Sequence, residues 1–266
     1  MTGIEVLVST MNRDDLTFIE KMKISTNAIV VNQNGTDSVR MSRINDNELK
    51  FVCSNEKGLS RSRNLALKHS KSEICVLADD DVEYVNDYSD IILQAYNEHE
   101  NADIIVFQVE RTGCNRTKKF RDQLSWENYI TSLKISSVEI TFKRDRIIEN
   151  GIKFNELMGA GSEFYLGEEN IFLYDSLKKG LKVLYLPIKI ASVDCSQSSW
   201  FEGYTKEYFN SLGAAYYNMS KSFYSILLLQ FALRKYKLYK DEMSFFAAYR
   251  EMVRGVRKYK KLNKIK

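Results

Sequence analysis

Five apolar residues, Ile74, Cys75, Val76, Leu77 and Ala78, run directly into three consecutive aspartates, Asp79, Asp80 and Asp81. An uninterrupted apolar run of this length, bounded by polar residues, predicts a strand buried on both faces of a parallel sheet. Three carboxylates at the carboxyl end of such a strand repel one another, and something must offset that repulsion. The carboxyl edge of an open α/β sheet is also where ligands bind. A hard divalent cation, shared between alternate carboxylates and the phosphate oxygens of a nucleotide, satisfies both conditions. The plainer reading of an Asp triplet is a solvated acidic turn, so the rest of the chain has to decide.

The first half of the chain alternates strands and helices. Strands are predicted at Ile4–Ser9, Ala28–Asn32, Leu49–Cys53, the run ending in the aspartates, and Asp103–Val109. Helices are predicted from about Asp15 to Lys23 and near Tyr88–His99, with a further one opening after Gly58 and Ser60 as its N-cap. Such alternation predicts an α/β fold with a mainly parallel central sheet and helices on both faces. In the second half, Gln123–Leu133 reads as helix and Ser137–Phe142 as strand. Glu168–Gly180 reads as a helix with acids in its first turn and lysines in its last. Val183–Leu186 reads as a strand stopped by Pro187, and beyond about Trp200 the pattern is helical to its end. These elements suggest a catalytic domain over 1–200, with a nucleotide-binding half at 1–110 and an acceptor half at 111–200, followed by a helical basic segment at 201–266.

Composition narrows the class. Hydrophobic residues make up 44% of the 266-residue chain, enough for a substantial core. Cys53, Cys75, Cys114 and Cys195 have no metal-ligand spacing, and two of them lie in apolar strand-like runs. That usage suits a reducing compartment. The chain enters a strand within three residues of its start, which leaves no room for a signal peptide. No apolar stretch reaches the length of a transmembrane helix. A cytoplasmic protein is expected.

These residues resemble the inverting family-2 glycosyltransferases, which have a Rossmann-like GT-A type fold. The resemblance rests on Val6–Asn12, Val30–Asp37, Gly58–Asn64, Leu77–Asp81 and Gly167–Glu169, in order and spacing over roughly residues 4 to 195. It implies a nucleotide-sugar donor, with a UDP-sugar as the first candidate, and a hydroxyl of a glycan acceptor, carried on a lipid in bacterial surface polysaccharide synthesis. Asp79 and Asp81 correspond to the family's DxD pair, with Asp80 between them. Asp81 is then the direct metal ligand, and Asp79 lies nearer the ribose or a metal-bound water. Arg61, Arg63 and Asn64 match an Arg-Asn pair close to the donor, and Arg63 is placed to brace Asp79 or Asp81, or to reach a phosphate. A surface arginine on an amphipathic helix is the plainer alternative.

The sequence departs from the family in three places, one of them the glutamate Glu169 where the family's catalytic pair ends in aspartate. The aspartate that commonly contacts the donor base is replaced here by Asn32 and Gln33, whose amides still match a uracil edge. Thr10 is the other nucleoside-pocket candidate. Family members also often carry a metal-ligating histidine past the catalytic acids. Here Asp194 stands at that distance, an acceptable oxygen ligand for Mn²⁺ or Mg²⁺. Glu169 takes the position of the family's catalytic base and Glu168 is the fallback, although two acids in a first helical turn are common for dipole reasons alone. The glycine-rich run Met158–Ser162 is assigned to the acceptor side. Trp126 and Trp200 are candidate sugar platforms, for which core burial is the plainer reading.

Two other functions are open to such a chain. One is sugar nucleotidyl transfer, which lacks support from any lysine-rich N-terminal phosphate loop, and the other is a non-catalytic sugar-nucleotide-binding scaffold subunit. Net charge is +4 overall, yet Arg234–Lys266 alone carries +9 and the remainder about −5. The apolar run Phe223–Leu233 is followed by cations and by spaced aromatics from Phe245 to Val256. This pattern suits a helix lying in the headgroup region of an anionic membrane. Deleting 241–266 would then release the protein from the cytoplasmic face of the membrane. Packing of the apolar run on the catalytic domain, or on a second subunit in a homodimer, is the alternative, and both readings hold together if the first helix is packed and the second lies at the lipid. The acidic body offers no continuous basic face for nucleic acid.

Overall fold

The computed structural model describes residues 3–44, 46–113, 118–195, 201 and 203–264. In chain order the strands are β1 (Ile4–Met11), β2 (Asn27–Gln33), β3 (Ser38–Ile44), β4 (Asn47–Ser54), β5 (Ile74–Asp79), β6 (Val82–Tyr84), β7 (Ile104–Thr112), β8 (Ser125–Trp126), β9 (Ile140–Lys143) and β10 (Val183–Asp194). The helices are α1 (Thr17–Lys21), α2 (Leu59–His69), α3 (Tyr88–Glu98), α4 (Arg144–Glu149), α5 (Glu168–Lys178), α6 (Lys206–Met219), α7 (Tyr224–Arg234), α8 (Tyr236–Tyr239) and α9 (Phe245–Leu262). The chain divides into two compact units: residues 1–57, 61–153 and 172–198, and residues 58–60, 154–171 and 199–266.

The first unit is built on one mixed sheet in the order β3-β4-β2-β1-β5-β9-β7-β10-β6, with β8 on β10. Strands β4, β2, β1 and β5 are parallel neighbours, as are β7 and β10. Strand β9 lies antiparallel between β5 and β7, and β3, β6 and β8 add antiparallel pairs. Alternate residues of β1 and its neighbours, including Val6, Val8, Val30 and Val76, pack with Phe18 and Ile19 of α1, with Met22 just after it, and with Tyr88 and Ile92 of α3. On the opposite face Phe172 of α5 meets Phe142 of β9 at 5.7 Å, and Ser62 of α2 donates to the Ser9 hydroxyl at 2.8 Å. Both faces of β1 and β5 are therefore covered, as their continuous apolar runs require.

Several elements of the sheet unit differ from the sequence reading, and four of the differences have a clear local cause. β3 was not expected, because it pairs only at the sheet margin and Val39 and Met41 stay exposed. An edge strand carries little hydrophobic signal. Gln123–Leu133 is not a helix: it holds β8, a turn and the start of a 3-10 segment at Ser132–Lys134. There the Asn128 carboxamide oxygen accepts from the backbone of Ile130 and Thr131, a local competitor of helical bonding. Ser137–Glu139 is likewise a 3-10 turn before β9. Finally, β10 continues through Pro187 to Asp194. Its register against β7 shifts between Tyr185 and Ala191, an irregularity in the ladder where a residue without an N–H is tolerated.

The second unit is helical. Its core joins Tyr204, Phe209 and Leu212 to Leu228, Ala232, Tyr239, Ala248, Met252 and Val256. Helices α6 and α9 approach at backbone contact. A Cβ on Gly213 would lie 2.0 Å from the Met252 carbonyl oxygen, and one on Gly255 would lie 1.9 Å from that of Asn210. This corrects the expectation that the second helix of the tail faces lipid: Ala248, Met252, Val256 and Tyr259 of α9 are buried. Truncation at 241 would remove a helix on which the unit is built rather than a detachable anchor. Gly255→Ala is therefore predicted to destabilise the protein by roughly 3 kcal/mol or more through overpacking. An unconstrained helix would instead gain about 1 kcal/mol from the same change, so urea denaturation gives a clear sign.

Candidate active site

Parallel strands β1 and β5 run in register from Ile4 opposite Ile74 to Ser9 opposite Asp79. Their carboxyl ends therefore deliver Thr10 and the three aspartates to one edge of the sheet. The aspartates then separate chemically. Asp79 accepts from Arg63 Nη2 at 3.1 Å, and the same nitrogen donates to the Ser137 hydroxyl at 2.8 Å. The Arg63 side chain is only 1% exposed. Asp80 accepts from the Thr10 hydroxyl at 2.5 Å and from Arg13 Nε at 2.8 Å. Asp81 has no ion-pair partner among the described residues. Although solvent reaches it, the protein around it and the charge of Asp79 push its carboxyl up to about 6.

Asp194 adds to the repulsion on Asp81. Its position follows from the ladder between β10 and β6, where Val193 pairs with Val82, so the next residue on each strand is Asp194 and Asp81. Passage of β10 through Pro187 is what brings Asp194 this far. Among the described residues no three His, Cys, Asp or Glu side chains form a preassembled metal cage. The donor set is nonetheless of the right kind for Mg²⁺ or Mn²⁺: carboxylate oxygens only, with Asp81 destabilised by like charge until a cation or a proton arrives.

Asn32 and Arg13 form the second layer of this edge. Asn32 is fully buried; its Nδ2 donates to the Arg13 carbonyl at 2.7 Å and its Oδ1 accepts from the Arg13 N–H at 3.1 Å. An amide supplies both a donor and an acceptor, whereas an ionised aspartate could not donate to that carbonyl. The amide in place of the family's aspartate thus fixes the loop that carries Arg13 to Asp80. Arg13 was not among the residues the sequence singled out; its only signal was a cation in the polar turn after β1. Gln33 is buried at the end of β2, opposite Met11. Arg61 and Asn64 are half-buried on α2.

In the second unit, Gly58–Ser60 is tied to the glycine-rich run. Leu59 N–H donates to the Ala160 carbonyl at 2.9 Å, and the Ser60 hydroxyl to that of Met158 at 2.8 Å. Ser60 is thus inside α2 rather than its N-cap. Gly159 has φ +95°, and a Cβ there would meet the Glu168 carboxyl carbon at 3.2 Å. Glu168 is buried, and Glu169 beside it is half-buried. Trp126, expected in the core, is 50% exposed. It pairs with Leu184 near the start of β10, ten residues and roughly 30 Å of strand from Asp194, too far to stack a sugar there. Trp200 lies outside the described residues.

The raised Asp81 carboxyl has a sign-definite consequence. Its folded-state value of about 6 lies above the ordinary 3.8, so its stabilising contribution is full below about pH 4 and lost as pH rises through 6. Without added cation, wild-type Tm is predicted to fall below that of Asp81→Asn as pH is raised from 4.5 to 7.5. Thermal denaturation at four pH values checks this, and parallel curves would contradict it.

The profile of the family described as glycosyl transferase family 2 matches residues 28–160. No curated protein sequence matches the chain. Among solved structures, S. aureus TarS 1–349 superposes with a TM-score of 0.62 at 13% identity, covering 90% of this chain and 73% of that one. The same TarS segment in complex with UDP-GlcNAc gives a TM-score of 0.64 at 14% identity, covering 96% and 81%. At these identities the likeness is one of fold. The family match spans half the chain, from the start of β2 through the aspartates to the glycine-rich run, and on that ground the protein belongs to glycosyl transferase family 2.

Proposed function

We propose that this glycosyltransferase moves a sugar, with inversion, from a nucleoside-diphosphate donor to a hydroxyl of a glycan acceptor, with a UDP-sugar as the first donor to test. The observation that carries the reading is the unequal treatment of the three aspartates. Arg63 holds Asp79, Arg13 and Thr10 hold Asp80, and Asp81 faces Asp194 with its charge uncompensated. Support for the donor class comes from the TarS structures described as complexes with UDP and UDP-GlcNAc.

Asp81 and Asp194, with Asp79 behind them, would hold Mn²⁺ or Mg²⁺. Such an ion supplies Lewis-acid charge against the diphosphate oxygens as they take up negative charge. Arg63 holds the Asp79 carboxylate in place, and Gln33 and Thr10 line the nucleoside end. Arg61 and Asn64 are assigned to the donor side. The Glu169 carboxylate accepts the acceptor hydroxyl's proton, with Glu168 as the reserve. The freed oxygen forms its bond to the anomeric carbon on the face opposite the nucleoside diphosphate, while the bond to phosphate oxygen breaks and its electron pair leaves with the diphosphate. We further place the enzyme at the cytoplasmic face of a membrane, acting on an acceptor carried by a lipid in bacterial surface polysaccharide synthesis.

Incubation with a panel of nucleotide sugars and assay of the released product tests this reading. Free nucleoside diphosphate supports it, pyrophosphate would indicate nucleotidyl transfer, and no release would indicate a binding subunit. Asp81→Ala should abolish metal-dependent donor binding while leaving the fold intact, and chelator should silence the wild type. Glu169→Gln should preserve donor affinity and lower turnover by roughly 10² to 10⁴-fold. A larger loss from Glu168→Gln than from Glu169→Gln would move the base by one residue.

A further inference from the structure

Helix α7 is largely apolar, broken by Ser225, Gln230 and Arg234, and its two sides meet different surroundings. Leu228 and Ala232 are buried in the core of the second unit. On the opposite side Ile226, Leu229 and Leu233 are exposed, Ile226 by 62% and Leu233 by 60%. Phe223 before the helix and Leu238 after it are exposed as well. Phe246, 82% exposed, extends the surface, since Tyr236 contacts Phe245 at 6.5 Å and Phe245 contacts Phe246 at 5.3 Å. A solvated surface rarely carries this many large apolar side chains together unless something covers them.

Charge identifies what covers it. From Tyr208 to Lys240 the chain contains no acidic residue, while Lys221, Arg234, Lys235, Lys237 and Lys240 flank the exposed apolar stripe. A second copy docking by a two-fold axis would set these cations against themselves. An anionic bilayer surface instead offers acyl chains to the apolar stripe and headgroups to the lysines. Among the described residues no helix is long and apolar enough to cross a membrane, so the contact is with one leaflet. We propose that the exposed side of α7, continued by α8 and Phe246, is an interfacial docking surface for anionic lipid. This rests on the placement of the enzyme at a membrane given above and names the surface, moving it from α9 to α7.

Sedimentation of the full chain with vesicles tests it. Equal parts phosphatidylglycerol and phosphatidylcholine are compared with pure phosphatidylcholine at low salt. The expected result is binding to the anionic vesicles only, weakened by added salt. The double variant Ile226→Asp, Leu233→Asp should lose at least tenfold in partitioning. Charge reversal at Lys235, Lys237 and Lys240 should lose roughly fivefold or more per cation. Both changes fall on exposed positions, and unchanged Tm with unchanged donor binding in solution confirms that the fold and the donor site persist. Wild type that stays in the supernatant, or a double variant that binds as well as wild type, overturns the proposal. Wild type that is dimeric by analytical ultracentrifugation, becomes monomeric in the double variant and ignores vesicles assigns the face to a second copy instead. Nucleoside diphosphate release with a soluble acceptor is read separately, so failure of the docking surface and failure of the transferase reading are distinct results.

Discussion

The ion pair between Arg63 and Asp79 sets the terms for the carboxyl edge of the sheet. A guanidinium with 1% of its side chain exposed is paired with a carboxylate, and that carboxylate is the first of three in a row. Charges interact strongly where water is scarce, so leaving all three aspartates uncompensated would oppose folding of the strand end. The solution draws on distant parts of the chain. α2 supplies Arg63, the turn after β1 supplies Arg13, and Ser137 ahead of β9 takes up a further donor contact of Arg63. Asp81 is the residue left repelled, at a position that solvent reaches.

The same logic runs one layer outward. Asn32 has both halves of its amide engaged with the Arg13 backbone, and Arg13 in turn reaches Asp80. A departure from the family that reads in sequence as a changed base contact is, in the fold, a brace for a loop.

The helical unit obeys a different constraint, that of backbone distance. Gly213 and Gly255 allow α6 and α9 to touch main chain to main chain, which draws α9 into the core and leaves α7 with one apolar side outward. Hydrophobic composition alone ranked α7 as the better candidate for burial. Packing reversed the order, because two glycines gave α9 the closer seat.

The paired apolar and acidic run, the alternation of strands and helices, and the order of the motifs were legible from residues alone. They depend on near neighbours in sequence and on the burial of continuous apolar strands, as at β1, β2 and β5. The helix opening at Glu168 was legible for the same reason. What only the tertiary structure decided are the long-range matters: β9 inserted antiparallel into the sheet, β10 carried past Pro187 to set Asp194 beside Asp81, Arg13 turned onto Asp80, and the apolar side of α9 buried while α7 keeps one apolar side outward. Each turns on which backbone lies alongside which, a property of pairing register and close approach. Local propensity carries no trace of either.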